Sequence, residues 1–165
     1  YGIAEGADDY IQKPFNTDYV KIKIIRLLEE RQRLQKRFMR IMQAGGIPMI
    51  AGEEQMDDSD KIFISKFVSL LESSYAKDDM SVEKLSREMN VSRVQLYRKI
   101  KEITGFTPVD YLRNYRLTKA VELLQKRRFS ISEVAFQTGF SSPAYFTKCF
   151  RDAFNMTPTE YLDKN

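Results

Sequence analysis

Residues Ser130 to Leu162 read SISEVAFQTGFSSPAYFTKCFRDAFNMTPTEYL, and this stretch decides how the chain is built. Ser130-Ile131-Ser132-Glu133 has the spacing of a capping box, in which a Ser hydroxyl and a Glu carboxylate three residues on each satisfy the other's backbone N–H. A short helix therefore starts here, with Ile131, Val134 and Ala135 facing inward. Gly139-Phe140 makes a turn. Ser142-Pro143 opens a second helix, with Pro at the first position, where no intrahelical N–H is missed. Phe146, Phe150 and Phe154 recur at helical spacing and form its buried stripe. Thr157-Pro158 opens a last helix in the same way.

The same construction lies upstream. Ser81-Val82-Glu83-Lys84-Leu85 corresponds to Ser130-Ile131-Ser132-Glu133-Val134 at an offset of 49 residues. Arg98-Lys99-Ile100-Lys101-Glu102 corresponds to Lys148-Cys149-Phe150-Arg151-Asp152, and Thr107-Pro108-Val109-Asp110-Tyr111-Leu112 to Thr157-Pro158-Thr159-Glu160-Tyr161-Leu162, both at an offset of 50. The second turn is thus one residue longer. A repeat that shares caps, turn and Thr-Pro restart means two copies of one unit. In the first copy Val82, Leu85 and Met89 point inward, and Asn90-Val91 makes the turn, Asn being tolerant of a left-handed backbone. Ser92-Arg93-Val94-Gln95 is a further capping box, opening a helix that buries Leu96, Ile100 and Ile103 and stops at Gly105. The helix from Thr107-Pro108 runs to about Leu124, with Leu112, Leu117, Val121 and Leu124 as core. Before the repeat, Ile64, Phe67, Val68, Leu71 and Tyr75 form the apolar face of another helix.

A short helix, a tight turn and a capped second helix make a helix-turn-helix, whose second helix lies in a DNA major groove. The long helix from Thr107 joins the two units and holds them apart. The plain alternative is a helical bundle whose repeats only pack. The side chains off the two buried stripes argue against it: Arg93, Tyr97, Arg98 and Lys101 in one copy, Thr147, Lys148 and Arg151 in the other. Long cations mixed with hydrogen-bonding groups are what phosphate and base contacts require.

Charge and composition agree. Residues 1–59 hold 9 Lys and Arg against 10 Asp and Glu, whereas residues 60–165 hold 18 against 13, so the basic part is the repeat. Eleven Phe and nine Tyr supply core volume without any Trp. There is no His and a single Cys, Cys149, set in an apolar helical pattern as a small core residue. That composition speaks against a zinc site and against a Ser–His or Cys–His catalytic pair. There is also no Gly-rich phosphate loop, so the chain is not expected to be an enzyme, and no metal or cofactor is expected. No apolar run nears the ~20 residues that span a bilayer, no signal peptide is visible, and the lone Cys suits a reducing compartment. The expectation is a cytoplasmic protein without membrane contact.

From about Asp60 the chain resembles the DNA-binding domain of the AraC/XylS family of transcription regulators. The resemblance is carried most specifically by Ile131-Ser132-Glu133-Val134-Ala135, Gly139-Phe140, Tyr145-Phe146, Phe150-Arg151 and Thr157-Pro158-Thr159-Glu160-Tyr161-Leu162. It implies double-stranded DNA as partner, read by two recognition helices in adjacent major grooves. Carried onto this sequence, it directs Val94, Tyr97 and Arg98 of the first recognition helix, and Pro143, Ala144, Thr147 and Lys148 of the second, toward base edges. Arg93, Lys101 and Arg151 become phosphate contacts, with the helix N-termini at Ser92 and Ser142 offering backbone N–H groups. Pro143 and Ala144 supply little hydrogen-bonded readout, so the second unit leans more on shape and phosphate.

At the other end, Gly6-Ala7-Asp8-Asp9-Tyr10-Ile11-Gln12-Lys13-Pro14-Phe15 resembles the last strand of a response-regulator receiver domain. The resemblance implies that Lys13 approaches a phosphoryl group and that the Lys13–Pro14 bond is cis. In such domains the phosphoacceptor Asp lies far upstream, and Asp8 and Asp9 are too close to Lys13 to be it. The chain, which does not begin with Met, is therefore expected to be a piece of something longer: the output end of a two-component response regulator or of a hybrid sensor kinase in a phosphorelay, any histidine kinase activity belonging to the parent. Val20, Ile24, Leu27, Leu34, Phe38 and Ile41 form the stripe of a long helix over residues 20–42, expected to be exposed and to pair with a second copy. Gly45-Gly46, Pro48, Gly52 and the acids Glu53, Glu54, Asp57 and Asp58 mark a linker.

The expected architecture is all-α: two helix-turn-helix subdomains joined by a long linker helix, preceded by a receiver fragment of a short strand plus a long helix. The expected segments are 1–42, 43–59 and 60–165. RNA polymerase and a homodimer formed through helix 20–41 are the further candidate partners. The competing reading is a helical protein-interaction module that touches DNA weakly.

Overall fold

A computed structural model describes residues 13–14, 16–45, 48, 56–77 and 79–164. The described residues are helical, without strands: α1 Thr17–Gln43, α2 Asp58–Ser74, α3 Val82–Met89, α4 Arg93–Thr104, α5 Pro108–Gln125, α6 Ile131–Gln137, α7 Pro143–Phe154 and α8 Pro158–Lys164. The short strand expected near Tyr10 and most of the expected linker lie outside the described residues. The Lys13–Pro14 bond is cis. By contact, the chain divides into two units, Tyr1–Leu34 and Gln35–Asn165. None of the helices among the described residues is long and apolar enough to cross a membrane.

Within the first unit, α1 starts after Asn16, whose side-chain carbonyl accepts from the N–H of Asp18 at 2.8 Å. This end of the helix is apolar on several sides. Val20 and Leu27 are half-buried, while Tyr19, Ile22, Ile24, Ile25 and Leu28 are about half exposed.

The second unit is built on caps that the sequence spells out. Ser81, Ser92, Thr107, Ser130 and Ser142 each sit in extended backbone and accept from an N–H three residues on. Each such cap is worth about 1 kcal/mol. Asn90, Gly105 and Gly139 close helices or turns with positive φ. In space, α2, α3 and α4 pack as one bundle, and α6 and α7 pack on α5 with α8 closing the end. The helix α5 therefore serves twice. It follows the first motif as α8 follows the second, and it leads into the second motif as α2 leads into the first. Its burial reflects this: Tyr111, Leu112, Asn114, Tyr115, Leu117, Thr118, Ala120, Val121 and Leu124 are all buried, which no one-sided helix allows.

The second unit also takes in the last turns of α1. Phe38 is fully buried, edge-on to Phe106 at 5.3 Å and to Tyr111 at 4.8 Å, and Tyr111 meets Phe67 at 5.3 Å. The side-chain amide of Gln35 donates to Asn114 at 3.3 Å, and the Thr118 hydroxyl donates to the Met39 sulfur at 3.3 Å. The stripe expected to be exposed is thus closed at Phe38 by the chain itself, because an aromatic side chain at that position gains more from the Phe67–Phe106–Tyr111 cluster than from water. Only its upstream part remains open to solvent. The second difference is smaller. Phe154, expected inside, is half-buried at the last residue of α7, resting on Phe150 at 4.4 Å with Tyr161 of α8 at 6.2 Å.

Two outcomes follow from this packing. Phe38→Ala should lower the stability of the helical unit by about 3–5 kcal/mol in urea unfolding; a loss below about 1 kcal/mol would mean that α1 is not part of this core. The caps should also separate by pH. At α6 and α8 the capping carboxylates of Glu133 and Glu160 accept from the N–H groups of Ser130 and Thr157 at 2.8 and 2.7 Å, and these hydrogen bonds hold their pKa values below the ordinary one. A lowered carboxylate stabilises above the unfolded pKa and is lost as pH falls through the folded one. At α4 the same position is Gln95, which does not titrate. In an NMR acid titration the Ser130 and Thr157 amides should therefore move with midpoints below that of ordinary Glu, and the Ser92 amide should not.

Candidate nucleic-acid interface

The helices α4 and α7 are the second helices of the two motifs, and each is held by its buried stripe. Leu96, Ile100 and Ile103 anchor α4, and Phe146, Cys149 and Phe150 anchor α7. The opposite sides face solvent. On α4, Arg93, Val94 and Arg98 are exposed and Tyr97 and Lys101 half-buried. On α7, Ala144, Lys148 and Arg151 are exposed and Pro143 and Thr147 half-buried. Val94 is 70% exposed, at the start of a helix whose other large aliphatic side chains are buried. Every candidate base or phosphate residue outside the two caps thus lies at least partly at the surface of α4 or α7.

Their electrostatic situations differ. Arg98, Lys148 and Arg151 form no ion pair among the described residues. Arg93 does: its guanidinium donates to the Glu83 carboxylate of α3 at 2.7 Å, and this hydrogen bond lowers the Glu83 pKa. A cation so placed has part of its charge already answered. The Lys101 ammonium stands 5.8 Å from the centre of the Tyr97 ring. Lys99, on the inner flank of α4, pairs with Asp60 at the start of α2, and that contact raises its pKa. It ties the recognition helix to its own bundle and holds it at a fixed angle.

The helix N-termini are also unequal. At α4 the Ser92 N–H is taken by the Gln95 side chain at 2.9 Å, and the Gln95 N–H by the Ser92 hydroxyl at 3.1 Å, which leaves the N–H groups of Arg93 and Val94 pointing out of the first turn. At α7 the Tyr145 N–H is taken by Ser142 at 3.2 Å and Pro143 has none, so Ala144 supplies the outward donor. Ser92 and Ser142 thus spend their side chains on capping. Two further residues, neither among the contact candidates of the sequence, take part. Glu83 is ten residues from Arg93 on another helix, a distance that carries no local signal. Tyr145 is 45% exposed yet packs its ring on Phe140 at 6.1 Å, so it bridges the turn and the recognition surface.

This arrangement has counterparts. A helix-turn-helix domain family matches residues 85–164. A transcriptional regulator from Chromobacterium violaceum, described as an AraC-type DNA-binding domain-containing protein, superposes with a TM-score of 0.60 at 31% identity, over 66% of this chain and 96% of that one. This chain belongs to the AraC-type helix-turn-helix family. The C-terminal domain of AraT, a response regulator from Geobacillus stearothermophilus, superposes with a TM-score of 0.60 at 27% identity, over 62% of this chain and 85% of that one. A curated relative, histidine kinase P4 of Formosa agariphila, is 36% identical over 163 residues, which is 99% of this chain and 12% of that protein. The chain spans 12% to 34% of the length of its curated relatives.

Of the exposed cations of α4 and α7 in this AraC-type frame, Arg98 and Lys148 form no ion pair among the described residues. Arg98→Ala and Lys148→Ala should each leave stability within about 0.5 kcal/mol of the parent in urea unfolding. A loss above about 1 kcal/mol would make either residue part of the scaffold.

Proposed function

We propose that this chain is a sequence-specific DNA reader that controls transcription, acting as the output end of a phosphorylation-controlled two-component system. The observation that carries the reading is the repeated pair of capped helices, α4 and α7, each presenting long cations beside exposed small or apolar side chains. In this reading Arg98 takes a guanine through its two parallel donors, Lys148 acts on the second half-site as a point charge, and Val94 and Ala144 meet thymine methyls. Tyr97, Pro143 and Thr147 complete the base-facing set. Arg93, Lys101, Arg151 and the helix starts at Ser92 and Ser142 hold phosphates, which gives affinity and salt dependence without sequence choice.

The two-component assignment rests on the upstream segment. The identity to histidine kinase P4 runs over nearly the whole chain and so includes residues ahead of the helix-turn-helix match, and AraT is itself a response regulator. Lys13 and Pro14 are assigned to the end of a receiver, residues 1–42 to a receiver fragment and signalling helix, 43–59 to a linker and 60–165 to the reader. A second copy pairing through the open upstream part of the α1 stripe, RNA polymerase as a further partner, and a cytoplasmic site of action complete the proposal.

The test is selection from random double-stranded DNA at low and raised salt, with Arg98→Ala plus Thr147→Ala as control. The expected result is an enriched two-part motif with half-sites about one helical turn apart, lost in the double variant; each lost base contact should weaken binding by about 1–3 kcal/mol. Salt-sensitive binding without a motif would reduce these helices to phosphate holders. Binding to a protein partner that ignores salt would favour the interaction-module reading instead.

A further inference from the structure

The two motifs meet away from both recognition faces. The helix α2 ends at Ser74, with Tyr75 as its cap, and carries no basic residue in its last turn. Its terminal carbonyls, the negative end of the helix dipole, therefore have no cation of their own. One comes from the middle of α5. The Arg116 guanidinium donates through Nε to the Tyr75 carbonyl at 2.8 Å and through Nη2 to the Lys77 carbonyl at 3.4 Å. Beside it the Tyr75 ring rests on Tyr115 of α5 at 5.5 Å.

The third party is the turn of the second motif. Gly139, between α6 and α7, is buried with φ +81°. A Cβ placed there would lie 2.6 Å from the Tyr75 carbonyl oxygen and 2.9 Å from Arg116 Nε, closer than real Cβ atoms come. The end of α2, the centre of α5 and the α6–α7 turn thus meet in one van der Waals contact. A long helix on its own fixes the distance between two bundles but leaves each free to roll about it. A contact between the bundles, in which the Gly139 backbone rests against the Tyr75 carbonyl and the Arg116 guanidinium that holds it, removes that freedom.

We propose that Arg116 and Gly139 are specificity-determining positioning residues: their junction sets the angle between α4 and α7 and so the one half-site spacing that the chain accepts. The proposal rests on the tandem-reader function above. It contacts no base, and it acts through the scaffold.

Two measurements test it. In the first, spin labels are placed at the exposed positions Glu102 and Asp152 in a Cys149→Ala background, and the distance distribution is recorded without DNA. The parent should give one narrow distance. Arg116→Met, which keeps the stem and removes the fork, and Gly139→Ala, which presses on the same point from the other side, should both broaden it. In the second, the selected half-sites are presented with spacers one base pair shorter or longer. The preference of the parent for its own spacing should fall by about tenfold in Arg116→Met, the size of a lost charged hydrogen bond, while affinity for an isolated half-site is unchanged. Arg116→Lys should be intermediate and serves where Arg116→Met fails to fold. A narrow distance in both variants, or an unchanged spacing preference, overturns the proposal. A parent that selects no motif overturns the reader itself, a failure visible in the parent alone.

Discussion

One helix has to satisfy two cores at once, and the rest of the structure follows from that constraint. On one side α5 closes the α2–α3–α4 bundle, and on the other it is the floor on which α6, α7 and α8 are laid. It can do so only because Tyr111, Tyr115, Leu112, Leu117, Val121 and Leu124 place apolar volume around its whole circumference. Even its small polar residues are absorbed. Asn114 accepts from Gln35, and the Thr118 hydroxyl is satisfied by the Asn114 carbonyl at 3.0 Å and by the sulfur of Met39. The Tyr111 hydroxyl is the exception, buried and without a hydrogen-bond partner among the described residues. Burial, with Tyr115 beside it, pushes its pKa well above the ordinary tyrosine value, so it stays neutral.

Built on this floor, the two recognition helices receive the same support but not the same chemistry. A neutral box caps α4, and Lys99 braces it against Asp60. A Pro starts α7, and four aromatic rings, Phe140, Phe146, Phe150 and Phe154, hold it in line. The first helix offers a fork-shaped cation and an exposed Val; the second offers a flexible ammonium and an Ala. Under the proposed function this gives a division of labour, with finer base discrimination at the first half-site and more reliance on backbone charge and groove shape at the second.

The last turns of α1 are part of the helical core. The helix continues without a break to Gln43, and these turns belong to the same core as α5 through Phe38, Met39 and Gln35. A helix end locked by an edge-on aromatic triad has few alternative positions, because close-packed cores switch between discrete arrangements rather than yield gradually.

Much of this was legible in the residues alone. Five of the eight helices among the described residues announce their starts or stops through local rules, since capping and turn formation depend on neighbours within four residues: Ser92 with Gln95, Ser130 with Glu133, Pro at positions 108, 143 and 158, and Gly at 105 and 139 in the turns. The repeat offset made the tandem motif visible, and helical periodicity put Arg98 and Lys148 outside. What stayed hidden depends on partners far apart in sequence. Periodicity placed Phe38 on an apolar stripe but could not say that the chain's own Phe106 and Tyr111 would cover it. Charge counting could not pair Arg93 with Glu83 or Lys99 with Asp60. No local pattern tells that Arg116 and Gly139 meet the end of α2. Sequence determined the elements and their faces, because these are set by short-range hydrogen bonds and period. Tertiary structure alone decided which cations are answered and how the two motifs are braced, because those are contacts between helices.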